Sequence, residues 1–516
     1  MRALALHQFK WIVSASAVAV ATGWALWNLG PASEFVGGWS SDSAIPVLMS
    51  NLQRFTLFET YYLGQDRLGA FAFLLCALVH RVTGFVWTPE RLAFFQTLTI
   101  MSSTVAVALL LRPRQMFAVV WALILVLFPW RFFLFNLGLG CPYGWQVTAL
   151  LFAWVALRRL GHRVAVGGRS AGTFGIATGL CFLASWISSL SAPVLLGVAA
   201  AEALAHQGLR AWRARLTSAL AVLCGGGLEG LLRGLYQVYA KASFGHSYRT
   251  RLTIQLSGAG DAFVEVLHRL DRGGAGVLLA FAMVAALVGL AVAIKLRRAH
   301  PSESVHPNLI TLLGLIAMAL GMLVIPPFVS HFRSNDLEEK YFTLAAYFSA
   351  LAAVVALERL ASQLPGKAPR AVLAAGWASA SAATPAAVFA WHPPAQPRPD
   401  FAEERRIAQE LARRSPGAFL VSGYWNAYSL AALALPDRLR PYPFDGQYQR
   451  TPFLRDELAR ADAVWVTDGG SDGKPLPPIG SAIVVSGVRL EPSGEAPLTL
   501  AGRRFIPYRS ASPVAQ

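Results

Sequence analysis

Runs of about 20 apolar residues recur along this chain, and a helix rising 1.5 Å per residue needs about that length to cross a hydrocarbon core of about 30 Å. Eleven such runs can be read: 11–29, 91–111, 115–135, 145–160, 171–188, 190–206, 216–235, 274–294, 309–327, 341–357 and 371–390. A water-soluble globule has no place for so many, so the repetition puts the chain in a bilayer. Composition agrees, with 55% hydrophobic and 14% charged residues in 516 and a mean hydropathy of +0.47. The four cysteines, Cys76, Cys141, Cys181 and Cys224, offer neither a disulfide framework nor paired metal-ligand spacing.

The net charge of +17 invites a nucleic-acid reading until its location is considered. Alternate short loops hold 17 basic residues, from Arg2 and Lys10 through Arg158, Arg159, Arg163 and Arg169 to Arg370, against only Glu202, Glu303 and Glu358. Basic residues on short loops mark the cytoplasmic side. The charge therefore reports topology, and no nucleic-acid partner is expected. The segment Leu68–Trp87 is apolar enough to span, but it contains His80 and Arg81, and counting it would turn every later basic loop outward. Residues 68–85 are therefore read as an interfacial helix. Eleven spans then leave the N-terminus cytoplasmic and the C-terminal region outside. An Ala- and Arg-rich chain without an N-glycosylation sequon suits a bacterial inner membrane, with the outer face periplasmic.

The expected fold is an α-helical polytopic membrane protein with a small C-terminal α/β domain. Its parts are a membrane module over 1–391, including a first outer loop over 30–90, a Pro-rich linker over 392–400, and a periplasmic domain over 401–516. In that domain a helix near 401–414, a strand near 418–422, a helix from Asn426, a strand near 438–442, a helix at 452–460 and a strand at 463–467 alternate as in a βαβ arrangement. Strands at 483–489 and 503–507 complete the sheet, and Asp468-Gly469-Gly470-Ser471 reads as a turn rather than a nucleotide fingerprint.

The first outer loop carries the densest polar and aromatic set. Asp42 heads a short amphipathic helix just after the first span, where an N-cap is the plainest reading. Downstream come Glu59-Thr60-Tyr61-Tyr62-Leu63-Gly64-Gln65-Asp66-Arg67 and the interfacial helix. An acid after the first span, the Tyr-Tyr-x-Gly-Gln element and an interfacial helix together resemble the bacterial GT-C superfamily, particularly protein mannosyltransferases and the aminoarabinose transferase acting on lipid A. Lys340-Tyr341-Phe342 resembles that superfamily's basic-Tyr-aliphatic element, and Gly423-Tyr424-Trp425-Asn426-Ala427-Tyr428 resembles a Tyr-Trp-x-x-Tyr element of outer C-terminal domains.

The resemblance implies a sugar donor carried on undecaprenyl phosphate, a lipid, glycan or protein acceptor, and membrane lipid as surroundings. Asp42 would be the general base on the acceptor hydroxyl, with inversion at the anomeric carbon; an aspartate is a weak base for an alcohol, so partial burial is expected of it. Lys340, Tyr341, Arg333, His331 and Arg91 are the candidates to meet the donor phosphate. Glu59, Tyr61, Tyr62, Gln65 and Asp66 are candidates to position acceptor or sugar. Interfacial snorkelling is the plain alternative for Arg91 and Arg333, and Tyr424 and Trp425 read first as domain core. The superfamily's second acid has no counterpart in the loop 136–144, and the first loop has no D-x-D pair, so no cofactor is implied and a divalent metal is not expected. Two other readings stand beside transfer: a transporter or lipid flippase, for which Glu229 is the one notable ionisable residue in a span, and a scaffold that has lost activity.

Overall fold

The computed structural model describes residues 2–29, 41–63, 66, 68–127, 138–139, 142–204, 211–245, 253–272, 307–334, 337, 339–363, 399–435, 438–444, 450–467 and 481–511, with five further positions between 283 and 291. The expected span at 371–390, the linker up to residue 398 and the turn at 468–471 lie outside the described residues, as does the expected span at 274–294 apart from those five positions.

The membrane module runs α1 (Arg2–Leu29), α2 (Ser41–Ser50), α3 (Phe71–Thr83), α4 (Pro89–Met101), α5 (Ser103–Leu110), α6 (Arg114–Leu127), α7 (Tyr143–Ala165), α8 (Ala171–Ile187), α9 (Ser191–Ala203), α10 (Ala211–Phe244), α11 (Ala259–Arg272), α12 (Pro307–Val324), α13 (Ser330–Ser334) and α14 (Thr343–Gln363). Among the described residues five stretches are long and apolar enough to cross a membrane: Gln8–Leu26, Pro89–Leu110, Trp212–Phe244, Asn308–Phe328 and Lys340–Arg359. The chain is a multi-pass membrane protein. Its core is continuous, with α7 packed against α8, α9 and α10, α12 against α9 and α14, and α1 against α4 and α6.

Several elements differ from the sequence reading for local reasons. The interfacial helix starts at Phe71, three residues late, because Gly69 forms a bridge with Tyr61 and Ala70 N–H bonds Thr60 O; it ends at Gly84, whose φ of 72° is left-handed. The run at 216–235 becomes a 34-residue helix, and its extra turns carry Tyr236, Gln237 and Phe244 up against the first outer loop. Helix α11 was not anticipated. It buries Ala262 and Val266 while leaving Val264 and Leu267 exposed, the two-faced pattern of a helix lying at an interface.

The C-terminal unit contains α15 (Pro399–Arg414), α16 (Tyr424–Leu433), α17 (Arg455–Leu458), β1 (Phe419–Ser422), β2 (Arg440–Pro443), β3 (Val464–Thr467), β4 (Ile483–Val485), β5 (Val488–Pro492), β6 (Leu498–Leu500) and β7 (Arg503–Ser510). The strand order is β2-β1-β3-β7-β5-β4, with β6 also paired to β7. β1 lies parallel to β2 and β3, and the remaining pairings are antiparallel. β2, with Pro441 and Pro443, sits at the edge where a missing N–H is tolerated. The single strand expected at 483–489 is instead a hairpin: Ser486 and Gly487 have φ of 48° and 80°, which turns the chain in two residues. Alternate residues of β1 and β3 serve opposite faces, Leu420 and Trp465 under α15 and α16, Phe419 and Val464 on the other side.

Helix α16 is shared. Leu430, Ala431 and Leu433 join the sheet's core, whereas Tyr424, Tyr428 and Ala432 join the core of the membrane module, where α16 packs along α2. An ion pair between Arg405 of α15 and Glu90 at the start of α4 fastens the same junction.

Candidate functional site

Asp42 lies in the first turn of α2, one residue inside the helix rather than at its cap, where a carboxylate is favoured by the helix dipole. Four residues on, Pro46 has no N–H to offer the Asp42 carbonyl. That carbonyl takes the Tyr62 hydroxyl instead, at 2.5 Å. A proline inside a short helix thus explains why a first-loop tyrosine is held beside the acid. Next along, Ser43 Oγ donates to Leu139 O at 3.3 Å, which brings the following outer loop to the same place. At the far end of α2, Asn51 brackets Trp87, accepting from its N–H at 2.9 Å and donating to its carbonyl at 2.8 Å.

The Asp42 carboxylate is exposed, which departs from the burial expected of it. Its partner comes from 382 residues away: the Tyr424 hydroxyl donates to Oδ1 at 3.3 Å. Tyr424 is the first residue of α16, and Gly423 before it lets the chain turn from β1 into that helix. Burial pushes the Tyr424 phenol up to about 12, so it remains a donor to the acid across the ordinary pH range. The same hydroxyl is hydrogen-bonded to Arg450, whose guanidinium lies over the Tyr424 ring, 5.7 Å from its centre. Arg450 N–H donates to the Tyr428 hydroxyl at 2.8 Å, and Thr451 Oγ1, within 3.3 Å of that hydroxyl, donates to Pro441 O at 3.0 Å. Tyr62 and Tyr424 therefore touch Asp42 directly, and Arg450 and Tyr428 back Tyr424. The sequence analysis had assigned Tyr424 to the domain core, and it had no signal for Arg450.

The other described first-loop candidates are engaged away from Asp42. Glu59 is fully buried and closes a capping box on the 3-10 turn Leu57–Thr60, accepting from Thr56 N–H at 2.6 Å and Thr56 Oγ1 at 2.5 Å, with Arg54 ion-paired at 2.8 Å. Burial raises its carboxyl pKa against the lowering pull of Thr56 and Arg54. Tyr61 reaches the long helix, donating to Glu229 Oε1 at 3.1 Å, and burial raises its phenol well above the usual range. Asp66, 2% exposed, accepts from Gln237 Nε2 at 2.7 Å. Glu229, Arg233 and Gln237 lie one turn apart on α10, and Glu229 is ion-paired with Arg233 at 2.7 Å. This stripe anchors the loop, and it accounts for the ionisable span residue that suggested transport. Gln65 lies outside the described residues.

The phosphate candidates sit on two other elements. Lys340 and Tyr341 lie on the 3-10 turn Glu339–Phe342 that opens α14; Lys340 Nζ is 5.4 Å from the Tyr341 ring centre, and Tyr341 packs on Phe332 at 4.6 Å. Arg333 on α13 donates to Ser257 O at 2.6 Å and clasps the segment before α11, which also pairs through Gln255 N–H to Phe328 O at 2.8 Å. His331 belongs to α13, and its side chain lies outside the described residues. Arg91, exposed at the start of α4, donates to Val86 O at 2.7 Å and covers the Phe85 ring.

Beside Tyr62, a small, partly open pocket of about 20 Å³ is lined mainly by Leu68, Gly69, Phe73, Pro142, Trp145 and Ile187. Its apolar walls come from the helix Phe71–Thr83, the first loop and the head of α7. A space of that size holds about one water molecule. Among the described residues no three His, Cys, Asp or Glu side chains converge as a metal-binding group would.

A bundle of membrane helices, with an acid in the first turn of a short helix after the first span, a second short apolar helix beside it and an α/β unit docked against them, is a fold shared with solved membrane proteins. The crystal structure of ArnT from Cupriavidus metallidurans bound to undecaprenyl phosphate is similar over 96% of this chain and 97% of that one, with a TM-score of 0.51 and 12% identity. Archaeal oligosaccharyltransferase AglB from Archaeoglobus fulgidus, in complex with an inhibitory peptide and a dolichol-phosphate, is similar over 89% of this chain and 69% of that one, with a TM-score of 0.48 and 14% identity. No family model and no curated protein matches the sequence.

Proposed function

We propose that the protein is a membrane glycosyltransferase that moves a sugar from an undecaprenyl-phosphate carrier to a lipid, glycan or protein acceptor at the periplasmic face of a bacterial inner membrane. The observation that carries this reading is the Asp42 carboxylate: it stands at the head of α2, bonded by the Tyr424 hydroxyl and exposed to an incoming group, with Tyr62 holding the backbone carbonyl of the same residue. The acceptor hydroxyl attacks the anomeric carbon and gives its proton to Asp42, and the carrier phosphate leaves from the opposite face with inversion. Because the carboxylate is exposed, it accepts the proton late, as the acceptor oxygen becomes acidic in the transition state, and bound substrates supply the desolvation. Lys340, with Tyr341 beside it, is the proposed point charge for the donor phosphate. The chemistry is proposed to need no metal ion.

The test compares wild type with Asp42→Asn for release of undecaprenyl phosphate from a panel of undecaprenyl-phosphate sugars in membrane extract containing native acceptors. Wild type should release the carrier, and the variant should fall by about 100-fold or more. Equal release by both forms rejects Asp42 as the base. No release by wild type across a broad panel rejects transfer.

A further inference from the structure

We propose that Arg450 binds the phosphate that leaves across the sugar from Asp42, making the outer α/β unit a direct contributor to the membrane active site. This rests on the transfer reading above and adds to it a residue that neither the sequence pattern nor the fold assigns.

Three observations converge. Arg450 is half-buried at the junction of the two units, and its position is set from behind: its own N–H is bonded to Tyr428, which is fully buried and meets Thr451, which is bonded to the edge strand β2. Its guanidinium is carried on the Tyr424 ring and bonded to the Tyr424 hydroxyl, which in turn donates to Asp42. The Tyr424 hydroxyl thus links the guanidinium to the carboxylate. Finally, Tyr62, the other tyrosine that touches Asp42, lines a small apolar pocket, so apolar surface lies on the other side of the acid.

The charge balance of the step calls for such a cation. The acceptor oxygen bonds to the anomeric carbon and its proton passes to Asp42. The bond between that carbon and the phosphate oxygen breaks, and its electron pair stays on the phosphate. A singly charged phosphodiester thereby becomes a doubly charged monoester. A guanidinium with a planar fork of donors gains most where that extra charge develops. Tyr424 then has two tasks: it orients the base, and it holds the guanidinium that receives the leaving group.

The test measures binding of undecaprenyl phosphate and of uncharged undecaprenol to the full-length protein in detergent, for wild type, Arg450→Gln, Arg450→Met and Arg450→Lys. Loss of a charged hydrogen-bond partner should weaken undecaprenyl phosphate by about 10- to 100-fold in the Gln and Met variants, with Lys in between. Undecaprenol should bind all four alike. Unchanged affinity for undecaprenyl phosphate overturns the proposal, and so does an equal loss for both lipids, which would mark Arg450 as packing only. Arg450→Met keeps the stem on the Tyr424 ring, so it retains the fold if Arg450→Gln does not. Wild type that binds the phosphate through Arg450 yet transfers no sugar rejects the transfer reading alone. Transfer unimpaired in Arg450→Gln rejects the anion site alone.

Discussion

Removing Glu202 tests how the basic-loop end of the bundle is held. Glu202 on α9 is 4% exposed, and its Oε1 accepts from Trp154 Nε1 at 2.6 Å and from Arg158 Nε and Nη2 at 2.9 and 2.6 Å. Glu202→Ala leaves a guanidinium without its counter-charge and an indole N–H without its acceptor. Breaking a buried pair in this way costs about 3–5 kcal/mol. Arg158 keeps two other acceptors, Leu110 O at 2.6 Å and Thr311 Oγ1 at 2.8 Å, which places the cost near the lower end. At about 1 °C per kcal/mol for a chain of this length, a loss of about 3 kcal/mol lowers the midpoint by roughly 3 °C. The assay is thermal unfolding by far-ultraviolet circular dichroism in one detergent, for wild type, Glu202→Ala and the double variant Arg158→Met with Glu202→Met. The double variant replaces both charges by apolar stems and should recover most of the loss. Thr311 also donates to Leu110 O, at 3.2 Å, so that carbonyl is not orphaned when Arg158 goes. A midpoint for Glu202→Ala equal to wild type, or a double variant as unstable as the single one, refutes the argument.

Tyr424→Phe should lower transfer by about tenfold or more, the worth of one hydrogen bond to a charged acceptor, while leaving the thermal midpoint nearly unchanged; a full loss of folding would refute the assignment. Alkaline titration followed by tyrosinate absorbance should contain one phenol ionising near 12 that is missing in Tyr424→Phe. Because that folded value is raised above the ordinary 10, the unfolded chain loses this proton first, so the associated stability is complete below pH 10 and declines between 10 and about 12. Gly69→Ala should destabilise by about 1–3 kcal/mol, read as a lower thermal midpoint, because a Cβ there would meet Trp186 O at 2.2 Å, next to the indole that donates to Thr60 O at 2.9 Å.

Local signals read well where local physics decides the outcome. Apolar runs mark spans because a backbone in lipid must satisfy its own hydrogen bonds, and α12 and α14 fall close to their sequence-expected limits. Glu59 shows where the same approach stops. Its sequence neighbourhood suggests a polar group free to position an acceptor, yet Thr56 three residues earlier makes it the other half of a capping box, and the buried turn leaves its carboxylate committed. Asp66 was likewise read from a loop whose partner, Gln237, lies in the turns of α10 beyond the expected span, and Tyr61 meets Glu229 only through the packing of that helix on the loop.

By itself the sequence determined that the chain enters a membrane many times, which loops carry its positive charge, and that an acid heads the first outer helix with a proline four residues behind it. These follow from hydropathy and backbone chemistry within a few turns. Tertiary structure alone decided which side chains meet that acid. Tyr424 reaches Asp42 only because α16 has one face for the sheet and another for α2, and Arg450 follows because Tyr428 and Thr451 fix its backbone. A hydroxyl across 382 residues leaves no periodic trace in either segment, since its partner is set by how two buried surfaces dock.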